Sequence, residues 1–173
     1  MPKTNDLDAY IAMAEAGDAK AQIFVGWAYL EGKLVEKNLT IAENWLRKAS
    51  GQGSFEGGYR LAMMLLQRGD REAIDLLTRL GDQGYSPANY ELGNCLYTGD
   101  LIDRNAREAA VRWDEAQRKG HIVARIKLLK YQSSIAPFYE KPIFFFRTFV
   151  SLVHAIGVYI RNDQDERVLG TFS

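Results

Sequence analysis

The 173-residue chain predicts an all-α fold: an α-solenoid of about three helix-turn-helix repeats, with a capping helix before them and a hydrophobic helix after them. Three observations carry this. The stretch Ala21 to Gly53 recurs from Ala88 to Gly120 position for position. Gly26 matches Gly93, Gly32 matches Gly99, Asn38 matches Asn105, Ala42 matches Ala109, Ala49 matches Ala116 and Gly53 matches Gly120, all at a spacing of 67 residues. Second, Gly17, Gly53, Gly84 and Gly120 mark repeat ends at steps of 36, 31 and 36 residues, a period typical of helical solenoids. Third, the apolar positions inside each repeat follow the helical period: Ala21, Val25, Gly26 and Tyr29 form one stripe, and Ala42, Trp45, Leu46 and Ala49 another.

In chain order, residues 6–16 predict an N-terminal capping helix with Leu7, Tyr10, Ile11 and Ala14 on one face. Helix pairs follow at about 19–31 with 39–51, 55–68 with 71–81, and 87–98 with 106–118. Gly inside a helix costs about 1 kcal/mol relative to Ala, so Gly26 and Gly93 predict places where a neighbouring helix comes close. Gly32 and Gly99 fall where a helix end needs positive φ. Asn38 and Asn105 are N-caps for the second helices, and Glu108 three residues after Asn105 approximates a capping box. Ser86-Pro87 reads as a helix start with Ser at the N-cap. A fourth repeat opens at Gly120 with Ala124 and Leu128 in register, then stops matching, because Leu129 stands where the packing glycine belongs. This divides the chain into a repeat domain, 1–133, and a segment 134–173 holding a linker, an apolar helix at about 143–160 and a polar tail.

The pattern formed by Ala21, Gly26, Tyr29, Gly32, Ala42, Trp45, Leu46, Ala49 and Gly53 resembles the Sel1-like repeat, a relative of the tetratricopeptide repeat, over roughly residues 17–130. The second repeat departs from it: Gly57 replaces the first Ala, Ala62 the helix Gly and Leu65 the Tyr, and about five loop residues are missing between Gly69 and Ala73. The resemblance implies a right-handed solenoid that binds another protein as an adaptor, without catalysis or cofactor of its own.

Composition narrows the other function classes. No long apolar run follows Met1 to Lys3, so no secretory signal is expected, and the expected location is cytoplasmic. The single cysteine, Cys95, has no intrachain disulfide partner. Asn38-Leu39-Thr40 is formally a glycosylation acceptor and reads better as a cap. His121 and His154 are the only histidines; they read as ordinary surface and interface residues, and no metal cluster assembles at useful spacing. Gly26 to Lys33 has five residues between its glycines instead of four and lacks the Ser/Thr of a phosphate loop. No carboxylate pair stands out as acid and base. Zero net charge and the lack of a basic, aromatic-interleaved motif argue against nucleic acid.

Solenoids bind along the face lined by the first helix of each pair. Outside the packing stripe this gives one row of candidates, Phe24, Arg60, Glu91 and Lys127, and a second, Trp27, Met63, Asn94 and Lys130. Phe24 and Trp27 are large anchors of the kind enriched in binding hot spots; the alternative is that both are buried between helices.

Ile143 to Ile160 is unlike any repeat. Its 18 residues span about 27 Å as a helix, just short of the roughly 30 Å hydrocarbon layer, and Arg147, Thr148, Ser151, His154 and Gly157 offset the gain from its apolar residues. Arg147, Ser151 and His154 share a narrow polar stripe, leaving a wide apolar face carrying Phe144, Phe145, Phe149, Leu152 and Ile156. Residues 104–161 hold 11 Lys/Arg against 4 Asp/Glu, whereas residues 1–103 hold 10 against 15. Two readings stay open: the face caps the incomplete fourth repeat or makes a homo-oligomer, or it rests on an anionic surface at the inner membrane.

Overall fold

Every regular element among the described residues is a helix; in this computed structural model they are 4–136 and 140–161, with side chains described for 7–136 and 140–154. The helices are α1 (Thr4–Glu15), α2 (Ala19–Glu31), α3 (Leu39–Gly51), α4 (Phe55–Arg68), α5 (Glu72–Asp82), α6 (Ser86–Thr98), α7 (Ala106–Arg118), α8 (Ile122–Ile135) and α9 (Lys141–Arg161). The all-helical repeat architecture read from the sequence is therefore the one observed. Contacts divide the chain into two compact halves, with the division inside α5 between Leu76 and Leu77.

The glycine punctuation has one stereochemical cause. Gly17, Gly53, Gly84 and Gly120 have φ of 99°, 82°, 85° and 91°, a left-handed conformation that costs a residue with a Cβ. It lets the next residue turn back and donate its N–H to the carbonyl five residues earlier: Asp18 to Met13 (3.0 Å), Ser54 to Ala49 (3.2 Å), Tyr85 to Leu80 (2.9 Å) and His121 to Ala116 (3.1 Å). The same residue then starts the next helix. Asp18 Oδ1 accepts from Ala21 N–H (2.7 Å), Ser54 Oγ from Gly57 N–H (3.1 Å) and His121 Nδ1 from Ala124 N–H (3.1 Å). Tyr85 makes no side-chain cap, and Pro87 in the first turn supplies the start instead. Ser86, read from the sequence as the N-cap, lies inside α6, and its hydroxyl donates to the Ala116 carbonyl of α7 (3.1 Å).

Within a repeat the turn is built the same way twice. Gly32 and Gly99 adopt φ of 69° and 88°; Asn38 N–H donates to Tyr29 O (2.9 Å) and Asn105 N–H to Leu96 O (2.7 Å). Each Asn then caps its helix, Asn38 Oδ1 accepting from Ile41 N–H (3.0 Å) and Asn105 Oδ1 from Glu108 N–H (3.1 Å). Glu108 answers through its side chain, accepting from Asn105 Nδ2 at 3.1 Å.

The helix glycines are contact points. A Cβ built on Gly26 would lie 2.9 Å from Leu46 Cγ, and one on Gly93 would lie 2.6 Å from Cδ1 and Nε1 of Trp113. Leu46 and Trp113 are repeat-equivalent and both essentially fully buried. The α3 stripe needs a correction: Ala42, Leu46 and Ala49 are buried, but Trp45 is only half-buried. Lys48 Nζ lies 4.0 Å from the centre of its ring, a cation–π arrangement at the protein surface.

In the irregular second repeat, Gly57 stands where a Cβ would come 2.7 Å from Ala49 Cβ, so the substitution for Ala follows from how closely α4 approaches α3. The shortened loop is closed by Asp70, whose Oδ1 accepts from Glu72 N–H at 3.0 Å. Around it runs an ion network. Arg47 makes two 2.6 Å bonds to Glu72, and Arg68 bonds Glu43 (2.7 Å) and Asp70 (2.9 Å). Burial raises the Glu43 carboxyl, and hydrogen bonds from Arg68 and Arg47 outweigh it, so the group titrates below its ordinary value.

Candidate functional site

The N-terminal half brings Phe24 and Trp27 together at the outer edge of its core. Leu7, Ala14, Ala21, Val25 and Ala28 form the buried cluster, and Phe24 and Trp27 pack on it with part of each ring open. Tyr10 of α1 completes a run of three rings, with centroids 4.2 Å apart for Tyr10 and Phe24 and 5.8 Å for Phe24 and Trp27. Both rings are half-buried, packed on that cluster without being enclosed by it. Arg60 pairs with Glu56 one turn earlier on α4, and Met63 is half-buried on the same helix.

In the C-terminal half, α6 and α8 collect polar groups that the sequence placed in separate rows. Asn94 Nδ2 donates to Glu91 Oε2 at 3.1 Å, while the Asn94 Oδ1 atom is buried with no partner. Burial pushes the Glu91 carboxyl above its ordinary value, opposed by that hydrogen bond and by the positive charge of Lys127. Lys127 and Lys130 are both exposed on α8. Beside this cluster lie Tyr90 and Cys95, both buried. Burial drives the Cys95 thiol up to about 11, so at neutral pH it is a protonated packing group and not a nucleophile.

His121 departs from its expectation as a surface residue. It is 4% exposed, caps α8 through Nδ1 and stacks on Tyr90 with ring centroids 4.6 Å apart. Burial lowers its pKa to about 4, which keeps Nδ1 free to accept. Among the described residues no group of three or more His, Cys, Asp or Glu is placed to hold a metal ion.

Two side-chain amides went unnoticed in the sequence. Gln22 Nε2 donates to Ala14 O (3.0 Å), and its Oε1 accepts from Gln52 Nε2 (2.7 Å); Asn89 Nδ2 donates to Gly81 O (3.0 Å). Gln22 and Asn89 are buried and repeat-equivalent, and each reaches back to a carbonyl eight residues earlier. The signal was present as an amide side chain at matching positions in two repeats.

On α9 the polar stripe is split. Ser151 is buried, and Phe144 and Thr148 are half-buried, on the helix that packs against α8, whereas Arg147 and His154 are exposed. The hydroxyls of Thr148 and Ser151 fold back onto the carbonyls of Phe144 and Arg147, both at 2.8 Å, so this contact face presents no unsatisfied donor. Phe145, Phe149 and Leu152 point outward and are exposed; the side chain of Ile156 lies outside the described residues. No helix among the described residues is long and apolar enough to cross a membrane.

These features define a protein of tandem helix-pair repeats with stereotyped glycine and asparagine stops. A family model for the Sel1 repeat matches residues 19–54 and 86–113. The pair between them is the one with the substituted glycine positions and the shortened loop. Among solved structures, the chain is similar to a protective antigen present in uropathogenic Escherichia coli strains that displays an SLR fold. Identity there is 20% and the TM-score 0.72, over 92% of this chain and 36% of that one. It therefore spans about a third of that protein's length. It is also similar to a Sel1 repeat protein from Oxalobacter formigenes, with 26% identity and a TM-score of 0.60 over 72% of this chain and 98% of that one. No curated protein matches the chain. Sel1 repeats are typically protein-interaction scaffolds without enzymatic activity.

Proposed function

We propose that this chain is a non-enzymatic adaptor that binds another protein through the outward positions of its first helices. In the N-terminal half the contact is the Phe24–Trp27 edge, with Arg60 and Met63 on α4; in the C-terminal half it is Glu91, Asn94, Lys127 and Lys130. The observation that carries this reading is the Glu91–Asn94 pair. A half-buried carboxyl raised by desolvation beside a buried amide oxygen with no partner does not stabilise the free chain, because an unsatisfied buried acceptor costs about 1–3 kcal/mol. Turning the Asn94 amide outward onto a partner N–H would recover that cost. Phe24 and Trp27 supply the apolar anchoring that interface hot spots require.

The test is crosslinking and mass-spectrometric identification of a partner, followed by calorimetry with the purified pair. Asn94→Leu and the double variant Phe24→Ala/Trp27→Ala should each weaken the measured affinity by roughly tenfold or more, while melting shifts less than binding. Equal affinity for wild type and both variants would remove these surfaces from the interface.

A further inference from the structure

The face of α9 turned away from α8 is the largest exposed apolar feature of the C-terminal half. Phe145 is 76% exposed, Phe146 66% and Phe149 57%, and Ile143, Val150, Leu152 and Val153 join them. At 3.6 residues per turn these positions sweep roughly half of the helix circumference. The packed side is narrow and carries Phe144, Thr148 and Ser151. The helix thus shows Thr148, Ser151 and one phenylalanine to its own protein and its other three phenylalanines to the surroundings, the reverse of a core-facing helix.

What borders the apolar arc identifies its occupant. Lys141 lies at one margin, and Arg147 with His154 at the other, all exposed, and α9 holds no Asp or Glu. The neighbouring α8 adds the exposed Arg125 and Lys130 and is likewise free of carboxylates. A half-cylinder of aromatic and aliphatic side chains with cationic margins is the arrangement of a helix lying in the plane of a bilayer interface. Long basic side chains reach outward from such a helix to lipid phosphates, and each contributes when close to an anionic surface.

We infer that α9 is a peripheral docking surface for anionic phospholipid bilayers, entering the headgroup boundary through Phe145, Phe146, Phe149, Val150 and Val153, with Lys141 and Arg147 facing the phosphates. The experiment is flotation of the full chain with vesicles of phosphatidylcholine alone or mixed with phosphatidylglycerol, at low and high salt. The wild type should float only with the anionic vesicles and be released by salt. Phe145→Asp/Phe149→Asp should abolish flotation without lowering the melting temperature, because both side chains are exposed. Lys141→Glu/Arg147→Glu should weaken it by at least roughly tenfold.

Three results overturn the inference. One is a wild type that ignores anionic vesicles while sedimenting as a dimer that the Asp pair dissociates, which makes a second copy the occupant. Another is a wild type that stays monomeric and ignores the vesicles. The third is equal flotation on neutral and anionic vesicles, which removes the charged margin from recognition.

Discussion

A helical glycine has two opposed effects on stability, and the space around it decides their sign. Replacing it with Ala gains about 1 kcal/mol in an open helix, but a new methyl group forced into a close-packed site costs about 1–3 kcal/mol. At Gly93 the added carbon would sit 2.6 Å from the rigid indole edge of Trp113, with the Ala109 carbonyl at 3.1 Å. Gly93→Ala should therefore lower the melting temperature, and Gly26→Leu, against Leu46 and the Ala42 carbonyl, should lower it further. Gly51, at the end of α3, has nothing within 4 Å of such a carbon, and Gly51→Ala should be neutral or stabilising. Thermal melts of the three variants check the ordering. These glycines were legible because the same residue recurs 67 positions on. Their partners were legible only as aligned positions, since Leu46 and Trp113 also lie 67 residues apart but differ in size; their contact with the two glycines is seen in the structure. His121 was not legible: nothing in the sequence distinguishes a histidine that caps a helix from one in solvent. Its pKa of about 4 in the folded chain lies below the ordinary 6.5, so between these values the unfolded chain binds more protons than the folded one. Stability then rises with pH. His121 contributes fully above about 6.5, and its contribution is lost as pH falls toward 4, with an upper bound of about 3 kcal/mol. His121→Asn keeps a capping acceptor that does not titrate, so the difference in stability between variant and wild type should move in the variant's favour as pH falls from 7 to 4. Denaturant titrations at several pH values measure it.

At the scale of elements, the helix bounds were readable because starts and stops are local chemistry: a positive-φ glycine, then a residue such as Asp18 or Ser54 accepting from the following turn. The second repeat was harder, because its identity depends on distance rather than on residue type. Gly57 breaks the family pattern, yet it follows from the approach of α4 to Ala49. The ion network of Glu43, Arg47, Arg68, Asp70 and Glu72 joins residues up to 25 apart, and no periodicity announces such a cluster. Both arginines are exposed and the three carboxylates half-buried, so solvent screening limits what it contributes. Arg47→Met should destabilise by at most about 1 kcal/mol at low salt. The difference from wild type should shrink in high salt, as denaturant melts at two ionic strengths would register. A loss unchanged by salt would mean that packing of the Arg47 stem, and not charge, links α3 to the start of α5.

At the scale of the whole molecule, the chain separates two kinds of apolar surface. The repeats bury theirs, as Leu46, Leu61, Leu65, Leu77, Leu92 and Trp113 show, whereas α9 leaves most of its described apolar side chains outside. The sequence could announce an apolar helix after the repeats but not its rotation, because Arg147, Ser151 and His154 lie on one stripe in projection and only contact with α8 separates Ser151 from the other two. That rotation bears on what truncation does. A terminal cap contributes by covering a large apolar face, yet among its described side chains α9 offers α8 Phe144 and two hydroxyl groups whose protons are satisfied within α9 itself. A chain ending at Ala136 should therefore keep α1 to α8 folded. Losing the contact of one half-buried Phe amounts to about 1–2 kcal/mol, which for a chain of this size lowers the melting temperature by only a few degrees. At the same time it removes seven large exposed apolar residues, and such patches drive association. The truncated chain should thus melt slightly earlier but bind less of a hydrophobic dye and stay soluble at higher concentration than the full chain. Circular dichroism, dye fluorescence and light scattering on the two proteins test this together. Loss of helical signal beyond that of α9 itself would show instead that α9 is the cap on which the last repeats depend.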